Sequence, residues 1–185
     1  IKDKGSFMIS GRRTYADVFL GFANNEQLKN STLYFYDLNA KANYRIGKKD
    51  RVYLSGYFGR DIFGFNNNQF GFDWGNTTGT LRWNHLFSDK FFSNTSVIFS
   101  DYDYKFNVTF AENANFAVSS GIKDWNVKQD FSWFPSPNNT VKFGFNAIYH
   151  TFLPGSIETD ENSIFNSDTI PENYALEGAV YIQNE

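Results

Sequence analysis

Over residues 34–46 the chain alternates with a period of two: Tyr34, Tyr36, Leu38, Ala40, Ala42, Tyr44 and Ile46 fall on one side, and Phe35, Asp37, Asn39, Lys41, Asn43 and Arg45 on the other. Successive side chains of a strand point to opposite faces, so this run specifies one long, two-faced β-strand. The pattern recurs down the chain. Val52, Leu54, Gly56 and Phe58 oppose Arg51, Tyr53, Ser55 and Tyr57, and Leu81, Trp83 and Phe87 oppose Thr80, Arg82 and Asn84. Trp125, Val127, Phe131 and Trp133 oppose Asp124, Asn126, Lys128, Asp130 and Ser132, and Val141, Phe143, Phe145, Ala147, Tyr149 and Leu153 oppose Lys142, Asn146 and His150. In one further run Tyr102, Tyr104, Phe106, Val108 and Phe110 oppose Asp101, Asp103, Lys105, Asn107 and Thr109. Before Ser100 that run changes phase, and a β-bulge there is expected to restore a single apolar face.

Strands are predicted near residues 5–13, 33–46, 51–62, 77–87, 91–110, 116–134, 140–153 and 173–183, with a single helical stretch at 15–23. Tight turns of Gly, Pro, Asn, Asp and Ser chemistry close three hairpins, at Gly47–Asp50, Ser88–Lys90 and Pro135–Asn139. Between them lie connections expected to be longer, at 14–32, 63–76 and 154–172, and a shorter one near 111–115. In an up-and-down antiparallel sheet this puts tight turns on one edge and elaborate loops on the other, the asymmetry of an outer-membrane barrel.

Composition narrows the function classes. The 185 residues carry 20% aromatics and 20% charged residues, with a formal charge of -3 and no cysteine. There is no cationic excess to meet phosphates, so nucleic acid is not an expected partner, and no thiolate for a zinc site or a nucleophile. No apolar run reaches the roughly 18 residues of a membrane helix. The chain opens IKDKGSF and stops at YIQNE within a predicted strand, so it reads as an excerpt of a longer polypeptide.

Alternation by itself does not say what the apolar face touches, since a soluble sandwich or lipocalin-like barrel would turn the same residues inward. Three features favour lipid. The predicted strands exceed the usual 5–6 residues of globular sheets and match a tilted wall crossing. Tyr36 and Tyr44 bracket Leu38–Ala42 at the spacing of aromatic girdles. Ala and Gly interleaved with rings would also pack a closed interior poorly. Within this reading, turning Lys41 or Lys128 to lipid would cost ~2–4 kcal/mol each near the midplane. The polar lists therefore line a lumen, and the candidate lumen-facing residues are Asp37, Asn39, Lys41, Asn43, Arg45, Arg82, Asn84, Asp124, Lys128 and Asp130.

Catalysis has no foothold. His85 and His150 lie on different strands without ligand-spaced partners and read as girdle or lumen residues. Asp101 and Asp103 read as two lumen-facing acids beside Lys105 rather than as an acid–base pair. Arg12 and Arg13 must point to opposite faces, and a structural bond to a neighbouring strand or plug is the expected use of the inward one. Glu158, Asp160, Glu161, Asp168 and Glu172 lack calcium-loop spacing and read as a solvated acidic loop. Five Asn-x-Ser/Thr matches, at Asn30, Asn76, Asn94, Asn107 and Asn138, are what an Asn-rich chain yields by chance. No cofactor or metal is expected.

The segments Gly5–Asp17, Tyr36–Lys41, Ser55–Asp61, Trp74–Asn76 and Arg82–His85 form an ordered series. Together, over about Gly5 to Pro154, they resemble the barrel of Bacteroidetes-type TonB-dependent outer-membrane receptors. The resemblance implies a barrel of about 22 strands in the bacterial outer membrane, of which this chain supplies about eight. It also implies an N-terminal plug in the lumen and energy-coupled nutrient uptake through the TonB complex. Neither plug, TonB-contacting segment nor closing strand is in the chain. The bilayer and lipopolysaccharide are implied surroundings, and a surface lipoprotein lid accompanies some members; cargoes across the family include iron chelates, cobalamin, glycans and peptides. Two other readings stand beside it. One is a complete eight-stranded barrel, as a membrane anchor or a soluble lipid-binding module; the other is a client captured in a larger outer-membrane assembly. Pairing of the first and last strands would favour the complete barrel, and two free edges an excerpt.

Overall fold

The computed structural model describes residues 4–111, 114–159 and 166–185. One antiparallel sheet accounts for nearly all of them. In chain order its elements are β1 (Gly5–Arg13), the short helices α1 (Ala16–Leu20) and α2 (Glu26–Lys29), β2 (Thr32–Arg45), β3 (Asp50–Phe65), β4 (Phe70–Ser88), β5 (Phe91–Ala111), β6 (Ala114–Ser136), β7 (Asn139–Glu158), β8 (Asp168–Thr169) and β9 (Asn173–Asn184). Each strand from β1 to β7 pairs with the next, and both β8 and β9 pair with β7. Among the described residues β1 and β9 do not meet, so the sheet is an open wall.

All eight predicted strands are present, and the two-residue β8 is additional. The predicted connection at 63–76 is not a loop. Phe63 and Phe72 are paired in register, as are Phe65 and Phe70, leaving only a four-residue turn, 66–69. The reason is visible in the chain: Phe70, Phe72 and Trp74 keep the period of two through the Asn- and Gly-rich stretch. Asn66, Asn67 and Asn68 hold φ of 47°, 56° and 62°, a left-handed run that Asn tolerates better than other side chains with a Cβ. Ser31 ties this turn to the first connection: its hydroxyl donates to the Gln27 carbonyl at 2.6 Å and accepts from the Asn66 N–H at 3.2 Å. The predicted helix shrinks to α1, and α2 follows it, its N-terminus capped by Asn25, whose side chain accepts from the Gln27 N–H at 2.8 Å.

The expected bulge at Ser100 is absent. β4 and β5 run in unbroken register from Phe70↔Val108 to Leu86↔Phe92. Val97 and Phe99 therefore share a face with Asp101, Asp103 and Lys105, while Ile98 shares the other with Tyr102, Tyr104 and Phe106. The strand keeps its phase, and its two faces exchange character partway along.

Among the described residues no hydrophobic side chain is buried. The apolar rows stand open instead, Ile9 being 69%, Leu54 58% and Val180 86% exposed. A globule of this size would enclose such residues, since burying each one contributes about 1.5–3 kcal/mol. On β3 the apolar stripe Val52–Phe58 is bracketed by Asp50 and Arg60. At ~3.3 Å per residue and a tilt of 30–40° that interval rises roughly 25–29 Å, against ~25 Å for the apolar band of an outer-membrane barrel.

The band also runs obliquely across the sheet. The cross-strand row Ala40–Gly56–Gly79–Phe99–Trp125–Tyr149 starts at the middle of the Tyr44–Tyr36 stripe in β2 and ends at the upper ring of the β7 stripe. The stripe thus slips by about four residues over the five steps from β2 to β7. With ~3.3 Å per residue and ~4.8 Å between strands this corresponds to a strand tilt of roughly 30°, close to the 35–45° of membrane barrels. At the tight-turn edge the band ends in stacked rings: Phe91 and Phe131 at 5.8 Å, Phe131 and Phe143 at 5.0 Å. Within the band the polar Thr95 and Gln129 satisfy each other, the Thr95 hydroxyl donating to Gln129 Oε1 at 2.6 Å, as groups in hydrocarbon must.

Candidate functional site

The pairing register places all ten sequence-predicted lumen candidates on one face, opposite the apolar band. On β2 they are Asp37, Asn39, Lys41, Asn43 and Arg45, and β3 carries Arg51, Tyr53 and Ser55 across from them. Arg82 and Asn84 follow on β4, and Asp124, Lys128 and Asp130 on β6. A hollow of about 570 Å³ opens on this face, lined among others by Lys41, Asn43, Tyr53, Ser55 and Arg82.

Several candidates are held by specific bonds. Arg12 Nε donates to Asp37 across β1 and β2, so the inward arginine bonds a neighbouring strand as expected. Asp37 is 8% exposed, and Asn39 Nδ2 also donates to it at 3.3 Å. Arg13, on the other face, lies over the Tyr34 ring at 4.7 Å. Asp124 pairs with His150 Nδ1 at 2.8 Å, and Glu177 stands 3.6 Å from its Nε2. Tyr181 spans Gly144 and donates its hydroxyl to Asp130 at 2.6 Å. Lys128 lies 3.5 Å from the same carboxylate group.

The cations nearer the tight-turn edge are different. Lys41, Arg45, Arg51 and Arg82 have no ion-pair partner among the described residues. Arg51 and Arg82 are nonetheless fixed in place. Their guanidinium carbons lie 5.4 Å and 4.4 Å from the Tyr53 ring centroid, and Arg51 Nη2 donates to Asn43 Oδ1 at 2.6 Å.

Toward the loop edge the faces trade roles, and two expectations change. Asp101, Asp103 and Lys105 are not on the face of the ten candidates. They continue the apolar face beyond its last ring and form an ionic belt there. Arg60 pairs with Asp73 and, at 3.1 Å, with Asp103; Lys105 pairs with Glu158 at 2.7 Å; and Lys123 lies 3.8 Å from Asp101. The polar face in turn becomes aromatic. Phe72 lies 4.8 Å from Trp74 and 6.0 Å from Tyr104, and Phe70 lies 5.2 Å from Phe106. Sequence reading missed this patch because half of it fell in the supposed loop and half was assigned to the lipid side.

His85 sits among the girdle rings, 4.6 Å from Phe87, its Nδ1 2.7 Å from Asp50. Of the acidic loop, Asp160 and Glu161 lie outside the described residues, and Glu158 is engaged by Lys105. Among the described residues no group of three His, Cys, Asp or Glu side chains could hold a metal ion. Among the described residues no helix is long and apolar enough to cross a membrane.

An up-and-down antiparallel wall with an exposed oblique apolar band defines the class: a transmembrane β-barrel segment. No protein-family model matches the chain, and no curated protein sequence does. Solved structures do match. The chain is similar to the copper transporter OprC over 98% of its length, at a TM-score of 0.67 and 13% identity. It is also similar to BauA, the ferric preacinetobactin receptor of Acinetobacter baumannii, over 97% of its length (TM-score 0.56, 11% identity). A third likeness, over 83%, is to FyuA, the ferric yersiniabactin uptake receptor of Yersinia pestis (TM-score 0.56, 10% identity). The chain spans 25–36% of the length of these proteins. At such identities the likeness is one of fold.

Proposed function

We propose that this chain is part of the barrel wall of an energy-coupled outer-membrane receptor that takes up a scarce nutrient. The observation that carries the reading is the absence of buried hydrophobic side chains among the described residues, in a sheet whose apolar band has the height and slant of a bilayer crossing. The similar structures named above are two receptors for ferric compounds and a copper transporter, and the edges of β1 and β9, which do not meet among the described residues, suit a wall completed by further strands better than a closed small barrel. The ordered motifs from Gly5 to Pro154 support reading the receptor as one of the Bacteroidetes type. In this reading the ten candidate residues face the lumen, a plug and the TonB complex belong to the whole protein, and lipopolysaccharide surrounds the ionic belt. The aromatic patch at Phe70, Phe72, Trp74 and Tyr104 adds a lumen surface for cargo near the loop edge.

The test is made on the full-length protein. It is expected in the outer-membrane fraction, migrating differently on gels before and after heating, and its deletion is expected to abolish growth on one limiting nutrient. A full-length protein recovered as a monomer without detergent would refute the reading.

A further inference from the structure

The connection between β1 and β2 carries a helix that is apolar on two sides, and only one of them is used. At 3.6 residues per turn, Ala16, Leu20 and Ala23 share one side of α1 and the turn that follows it, while Tyr15, Val18, Phe19 and Phe22 share a second. α1 packs on β2, and the first group is half-buried. The second group stands open, Phe19 being 76% and Phe22 80% exposed. Asp17 and Gly21 fall on the remaining side. A helix that is apolar over most of its circumference is stable where both apolar sides are covered.

The helix is also fixed to a particular face of the wall. Thr14 continues the pairing of β1 with β2, its N–H donating to the Phe35 carbonyl at 2.9 Å and its Oγ1 accepting from the Phe35 N–H at 2.9 Å. Arg13, paired in register with Tyr36, lies on the face of the apolar band. Its guanidinium carbon is 5.4 Å from the Tyr15 ring centroid and 4.7 Å from that of Tyr34, and its Nη2 stands 3.5 Å from Asp17. Tyr34 in turn lies 6.3 Å from Tyr36, at the end of the β2 stripe. At its other end the connection is tied down by the Asn67 N–H, which donates to the Asn30 carbonyl at 2.8 Å.

We propose that α1 is an interfacial anchor: Val18, Phe19 and Phe22 enter the lipid surface on the loop side of the wall, so that this connection lies down on the membrane instead of folding over the lumen. The proposal rests on the reading of the apolar band as lipid-facing and goes beyond it by assigning a partner to a segment outside the strands. Continuity is the first argument. The cluster Tyr36–Tyr34–Arg13–Tyr15 carries the apolar face of β2 without a break to the open side of the helix, and tyrosines with a snorkelling cation are the chemistry of the headgroup level. An interfacial helix lies in the plane of the surface with its apolar side sunk by ~5–10 Å, and α1 starts from the girdle itself. Charge is the second. The one charged residue of α1, Asp17, is engaged by Arg13, and the charges of α2, Glu26 and Lys29, pair with each other at 3.0 Å, so no unpaired charge of either helix has to be dragged into lipid.

The experiment uses the full-length receptor in phosphatidylcholine vesicles, freed of any cysteine outside the present chain, which has none. A nitroxide is attached in turn to Phe19→Cys, Phe22→Cys, Leu54→Cys and Lys48→Cys. Its collisions with oxygen, which concentrates in hydrocarbon, are compared with those with a water-soluble nickel chelate. Oxygen is expected to exceed nickel at Phe19 and Phe22, as at Leu54 in the apolar band, with the order inverted at Lys48 in the tight turn. Heat-modifiable migration reports an intact barrel in each variant. In Phe19→Asp/Phe22→Asp, proteolysis within residues 14–32 is expected to quicken by about tenfold or more, because two apolar side chains no longer hold the segment to lipid. Nickel exceeding oxygen at Phe19 and Phe22 overturns the proposal, since the helix then stands in water. Shielding from both agents also overturns it, in favour of a covering protein segment, and so does unchanged proteolysis in the double variant. Nickel access at Leu54 would instead overturn the receptor reading itself, since the apolar band would then be wet.

Discussion

Val97 and Ile98 are consecutive β-branched residues of β5 with nearly the same chemistry, and the register sends them to opposite faces. Val97 lies in the row Leu54–Leu81–Val97–Val127 of the apolar band, whereas Ile98 borders the polar hollow beside Thr80 and Asn126. Val97 is four residues, or roughly 11 Å of rise, inside the first charged row at Asp101. At that depth an arginine facing hydrocarbon costs ~2–4 kcal/mol, a burden absent on a hydrated lumen face. Val97→Arg is therefore expected to lower the folding equilibrium of the full-length protein by roughly 30- to 700-fold relative to Ile98→Arg. Urea titration in phosphatidylcholine vesicles, scored by the heat-modifiable fraction, measures both. Equal losses in the two variants, or a larger loss in Ile98→Arg, would show that the apolar band does not meet lipid.

Three further outcomes are expected. Asn67→Ala should destabilise the β3–β4 turn by ~1–2 kcal/mol because alanine pays for the left-handed φ of 56°, while Asn67→Gly should not; limited proteolysis at the turn distinguishes them. A Cβ at Gly144 would run into the carbonyl oxygen of Gln129 and sit 3.0 Å from the Tyr181 ring, whereas nothing lies within 4 Å at Gly178. Gly144→Ala should thus cost ~1–3 kcal/mol in vesicle unfolding and Gly178→Ala next to nothing. Arg60, whose side chain is 29% exposed between Asp73 and Asp103, stands outside the apolar band, so Arg60→Met should cost under about 1 kcal/mol. That cost should vanish in 1 M salt, where the Debye length is ~3 Å; a salt-independent loss would mean that the belt is sequestered from solvent.

Much of the wall was legible because a strand's two-residue period writes its faces directly into the chain. Tyr36, Leu38, Ala40 and Ala42 against Asp37, Asn39, Lys41 and Asn43 leave no second way to orient β2, and all ten lumen candidates fall on one face. The same rule misled where composition resembled a loop. Asn and Gly between Phe63 and Asn76 masked two paired strand ends, although Phe70, Phe72 and Trp74 still kept the beat. It misled again at Ser100, where a change in which side is greasy was read as a slip in phase.

Periodicity thus determined that the chain is two-faced, all-β and joined by tight turns along one edge, because those properties are local to each strand. Three others required the partners. Only pairing aligned the aromatic stripes into a slanted band, showed that Asp103 and Lys105 lie on the outer face with Arg60, and brought Arg45 opposite Arg51. Each depends on which residue of one strand sits beside which residue of the next, and that offset is set by hydrogen bonds between neighbouring strands rather than by the order of residues within either.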